Sequence, residues 1–116
     1  MPRHDPTDSE YRKALRAARR DTPHGAVIRA RTKLSRGVAK VMRDYGLTPN
    51  ERLITNLRLL VQSKPGRKGL IDRDVGEELT ALKELGDKAF HVPVRKWTKT
   101  EADKYAADVV AALGKL

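Results

Sequence analysis

Apolar residues recur along most of this chain at helical spacing, and the breaks fall on Gly, Pro and hydroxyl-bearing positions. The clearest stretch is 24–45, where Val27, Leu34, Val38, Val41 and Tyr45 stand 7, 4, 3 and 4 residues apart with Ala30 in the gap. That spacing predicts one long helix with a single apolar side. Gly46 follows it as the expected left-handed stop. Before it, Thr7 stands three residues ahead of Glu10, the capping-box spacing, and opens a helix over 8–20 with Tyr11, Ala14, Leu15 and Ala18 on one face. Residues 1–7, with two Pro, read as a flexible tail. Pro23 disfavours α geometry at Thr22 and separates the first two helices.

A third helix is expected from Thr48, with Thr as N-cap and Pro49 in the first turn, carrying Leu53, Ile54, Leu57, Leu60 and Val61. Residues 63–69 form a basic Gly/Pro loop with no core residue. A fourth helix over 73–85 follows from Ile71, Val75, Leu79, Leu82 and Leu85, with Asp74 three before Glu77 as its cap and Gly86 as its end. Phe90, Val92 and Val94 alternate with His91 and Pro93, which predicts a short extended segment near 89–95, an edge strand or an ordered connector. Thr98, three before Glu101, opens a fifth helix with Ala102, Tyr105, Ala106, Val109, Val110 and Leu113 inward. The expected fold is all-α, a single domain of about five helices.

Composition supports a modest core. The 116 residues fit one domain, with 13 Ala, 13 Leu and five aromatics. The absence of Cys excludes disulfides and thiolate zinc sites. No apolar run approaches the roughly 18 residues of a membrane span, and no signal-peptide apolar region opens the chain. A soluble, cytoplasmic protein with no membrane contact is therefore expected.

Charge changes the picture more than composition does. The net charge is +10, and residues 1–69 carry 17 Lys and Arg against 6 Asp and Glu, whereas residues 70–116 carry 8 against 9. Such asymmetry predicts a nucleic-acid-facing part over 8–69 and a near-neutral part over 70–116 that completes the core or meets a protein partner through helices 4 and 5. On the second helix, Arg29, Lys33, Arg36, Lys40 and Arg43 stand 4, 3, 4 and 3 apart. The row lies two residues beyond the apolar stripe, about 200° around the axis, and so faces away from the core. Like charges at these separations destabilise a helix by a few tenths of a kcal/mol per pair. A plain solvated face is the alternative reading, but indifferent surfaces avoid that cost by mixing signs. The first helix adds Arg12, Arg16, Arg19 and Arg20, with Lys13 beside them, and the loop adds Lys64, Arg67 and Lys68.

Helices 2 and 3 are joined through Tyr45-Gly-Leu-Thr-Pro49 and have the look of a helix–turn–helix pair, with Arg52 and Asn56 as residue types suited to phosphates and base edges. The stretch 46–54 with Leu57, Leu59 and Leu60 resembles the lead-in to the winged helix of MarR-type repressors, which implies DNA binding. No recognition helix and wing follow at 70–97, so the family is not adopted. Aromatic stacking platforms are missing from the basic part, which favours duplex backbone over single strands. Catalysis finds little support, because His4, His24 and His91 share no helix face and the acidic group Asp72, Asp74, Glu77 and Glu78 suits the first turns of a helix. No enzyme activity, cofactor or metal is expected. The function expected is a small basic protein binding nucleic acid, duplex DNA over RNA, of regulator or phage/plasmid accessory type. The alternative is an adaptor or inhibitor whose basic face meets an acidic protein or a nucleoprotein complex.

Overall fold

A computed structural model describes residues 7–17, 22–62, 69–91 and 97–116, without the side chains of residues 15, 17 and 89–91. Five helices make an all-α fold: α1 (Asp8–Ala17), α2 (Pro23–Asp44), α3 (Leu53–Val61), α4 (Arg73–His91) and α5 (Lys99–Leu113). No strand occurs among the described residues. Residues 1–6 of the expected 1–7 tail, 18–20 at the end of the first helix, 63–68 of the expected 63–69 loop and 92–95 of the extended segment lie outside the described residues.

The helix starts follow from capping chemistry. Glu10 N–H donates to Thr7 Oγ1 at 3.2 Å and Thr7 N–H donates to Glu10 Oε1 at 3.3 Å, so the expected capping box opens α1. The same pair forms at Thr98 and Glu101, both bonds at 3.1 Å, before α5. Thr22 caps α2 by accepting from Gly25 N–H at 3.0 Å, with Pro23 at its first position. At the other end of α2, Gly46 adopts φ +76°. Gly46 N–H then reaches Arg43 O at 2.9 Å and Leu47 N–H reaches Met42 O at 2.8 Å, a Schellman closure.

α2 is the central element and touches each of the other four helices. Val27, Leu34, Val38 and Met42 are fully enclosed, and Ile28 nearly so. They meet Tyr11 of α1, Leu53, Leu57 and Leu60 of α3, Leu79 of α4, and Tyr105 and Val109 of α5 in one core. The stripe stops short of its expected end: Tyr45 is 53% exposed, while Met42 takes the inward place.

Two expected boundaries are corrected. α3 begins at Leu53 rather than Thr48. Buried Asn56 holds the preceding turn out of helix, since its Oδ1 accepts from Asn50 N–H at 2.7 Å and its Nδ2 donates to Asn50 O at 2.9 Å. α4 does not stop at Gly86 but runs on to His91, so residues 89–91 are helical and not extended. A Cβ at Gly86 would strike Tyr105 Oη and Arg31 Cδ, so this glycine serves close helix approach rather than termination. Asp74 lies inside the first turn of α4, and Asp72 O accepts from Gly76 N–H at 3.0 Å at the position expected of a cap.

Candidate nucleic-acid interface

The inward stripe of α2 fixes the direction of its cations. With Val27, Leu34 and Val38 enclosed, Arg29, Lys33, Arg36, Lys40 and Arg43 all emerge exposed on the opposite side. Over 29–43 the row extends for about 21 Å at the helical rise. Lys40 has Asp44 at 3.5 Å, both well exposed, whereas Lys33, Arg36 and Arg43 have no ion pair among the described residues. α1 lies along α2 and brings Arg12 and Arg16, both exposed, to the same side. Between the two helices runs a groove of about 510 Å³ lined by Ser9, Arg12, Arg16 and Arg36.

Beneath this face is a buried polar cluster that the sequence reading missed. Arg31 is fully enclosed; its Nε donates to Asp87 Oδ1 at 3.0 Å, its Nη1 donates to Ser35 Oγ, and its guanidinium stands 4.3 Å from the centre of the Tyr11 ring. Tyr11 Oη donates to Asp87 Oδ1 at 2.5 Å, and Lys83 Nζ donates to Asp87 Oδ2 at 2.6 Å. Burial alone would raise the Asp87 carboxyl, but the Arg31 charge and the bonds from Lys83 and Tyr11 outweigh it and hold it below the ordinary carboxylate value. The Tyr11 and Tyr105 phenols are pushed well up, chiefly by burial. The signal for Arg31 was available: it stands four after Val27 and three before Leu34, on the apolar stripe itself.

The other expected site residues divide. Asn56 is 1% exposed and bonded to Asn50, so it is corrected from a base-reading residue to a loop-holding one. Arg52 is half-buried at the start of α3. Arg19, Arg20, Lys64, Arg67 and Lys68 lie outside the described residues. A second hollow of about 530 Å³ between α3 and α4 has an apolar floor from Ile54, Leu57 and Val61, and its charges are mixed, with Arg73 Nε 3.3 Å from Glu77 Oε1.

No family model, no curated protein and no solved structure matches this chain. Among the described residues, no helix is long and apolar enough to cross a membrane.

Proposed function

We propose that this protein binds nucleic acid, duplex DNA before RNA, through the cationic side of α1 and α2. The observation that carries the reading is the row of five exposed cations on α2, set opposite an enclosed apolar stripe and without an interleaved carboxylate. Repulsion along the row has a cost that a polyanion relieves, and released counterions make the association favourable. The row holds no Asn, Gln or aromatic side chain, and Asn56 is unavailable inside the α3 turn. The contacts would therefore position a backbone rather than read bases, a mode suited to an accessory or architectural role.

The test is a salt titration of duplex binding by Lys33→Gln/Arg43→Gln. Each phosphate contact contributes about −0.9 to the slope of log K against log salt on duplex DNA, so the double variant should flatten the slope by nearly two units. Its loss of affinity should be similar on unrelated sequences. An unchanged slope would leave the row a solvated surface. Wild-type binding to an acidic polypeptide, with none to duplexes, would assign the face to a protein partner instead.

A further inference from the structure

We infer that the groove between α1 and α2 is a phosphate-binding subsite, in which Arg12, Arg16 and Arg36 take one phosphate group. The inference deepens the nucleic-acid reading above and rests on it for the identity of the natural ligand.

Three features set this groove apart from the rest of the basic surface. Its described lining is three guanidinium groups from two helices and one hydroxyl, with no carboxylate. Arg12 and Arg16 are four apart on α1, facing a third like charge on α2, and none has an ion pair among the described residues. Asp8 lies in an adjoining hollow of about 130 Å³ that shares Arg12 and Arg36 with the groove. Its carboxylate is bonded to Ser35 and feels the Arg31 and Arg12 charges, so Arg16 is the groove arginine farthest from a carboxylate's influence in these linings. Planar guanidinium forks match phosphate oxygens two at a time, so three around one cavity suit a phosphate better than three point charges would.

The second feature is rigidity. Tyr11, the chain neighbour of Arg12, is fully enclosed and bonded to Asp87. Ser35, the neighbour of Arg36, is buried and receives a bond from Arg31. Both walls are thus pinned to the same buried cluster, and the arginine backbones keep their spacing without a ligand. The third is local ordering of a wall side chain, because Arg12 Nη2 donates to Ser9 Oγ at 3.1 Å.

The phosphate could come from an internal diester or a terminal monoester, and the test separates them. Inorganic phosphate is titrated into the isotope-labelled full chain while the arginine Nε–H signals are followed. Signals of Arg12, Arg16 and Arg36 should move together and saturate, ahead of those of Arg29 and Arg43. Arg16→Gln should abolish that saturation and weaken duplex binding at least threefold more than Lys13→Gln, which removes an exposed α1 cation outside the groove. Arg16→Lys, which keeps charge but loses the fork, should restore less than half of the difference. A duplex with 5′-phosphates that binds more tightly than its unphosphorylated twin, only when Arg16 is present, identifies a monoester; equal binding identifies a diester. Uniform arginine shifts that follow ionic strength, or equal effects of the Arg16 and Lys13 variants on duplex binding, overturn the subsite and leave the α2 row standing. Failure of the wild type to bind any duplex overturns the nucleic-acid reading, whatever inorganic phosphate does.

Discussion

α2 carries charge on both of its sides and treats it oppositely. On the inner side, Arg31 is fully enclosed, with Asp87, Ser35 and the Tyr11 ring around it. On the outer side, Lys33, Arg36 and Arg43 stand in water with like-charged neighbours and no ion pair among the described residues. The surface of α5 shows that the chain can do otherwise. There Lys99 has Asp103 at 3.4 Å and Lys104 has Asp108 at 2.8 Å, each four residues on. Partners are therefore supplied where a cation is buried and where a surface is indifferent, whereas on the outer side of α2 Lys40 has Asp44 and the three cations Lys33, Arg36 and Arg43 have no ion pair among the described residues. The difference supports a surface kept for an outside anion.

The largest break in this comparison comes from within. Asp87→Ala leaves Arg31 and Lys83 buried without their carboxylate, and removal of one partner from such a group costs about 3–5 kcal/mol. Urea unfolding should show it; a loss under about 1 kcal/mol would mean that water reaches the cluster and that inner and outer charges are not so different. The same carboxylate sets a pH dependence. Its folded value lies below the ordinary 3.8, so its stabilisation is complete above the unfolded value and fades as pH falls through the folded one. Below about pH 4 the wild type should lose its advantage over Asp87→Asn. Asp8, raised chiefly by burial, works in the opposite sense but is common to both proteins.

A middle-sized effect sharpens the inner side. Gly to Ala inside a helix ordinarily stabilises by about 1 kcal/mol. At Gly86 the added methyl would meet Tyr105 Oη and Arg31, so Gly86→Ala should destabilise by about 1–3 kcal/mol, visible as a lowered Tm. A raised Tm would show that the cluster yields and that Gly86 is not required for packing.

That glycine also marks where the sequence was legible and where it was not. The capping boxes at Thr7 and Thr98, the stop at Gly46 and most of the α2 stripe are local signals that the helices obey, whereas Val110, expected inward on α5, is 54% exposed. Gly86 depends on partners remote in sequence, Tyr105 and Arg31, while the start of α3 depends on the Asn50–Asn56 bonds, a local side-chain contact that apolar periodicity does not show. A helical Gly needed for close approach looks the same in sequence as one that ends a helix. The exposure of the α2 row was legible because it is fixed by the apolar stripe opposite. Arg31 is illegible from charge alone, which ordinarily marks solvent, although its spacing places it inward. Tyr45 erred the other way, as the last aromatic of a stripe whose helix ends beneath it. The groove could not be read at all, since it requires α1 to lie beside α2.

The smallest effect tests the two outer surfaces directly, through its sign. Lys33 stands four after Arg29 and three before Arg36, so its neighbours along the helix are both cationic. Each such like-charge pair destabilises by about 0.2–0.5 kcal/mol. Gln has nearly the helix propensity of Lys, so Lys33→Gln should raise stability by a few tenths of a kcal/mol. Lys104→Gln removes the exposed pair with Asp108 and should lower stability by a similar amount. Both shifts should shrink in 1 M salt, where screening acts within about 3 Å. Only Lys33→Gln should also weaken duplex binding. Stability shifts of the same sign, measured side by side in urea at low salt, would erase the distinction between the two surfaces and with it the argument that the α2 row is held ready for a polyanion.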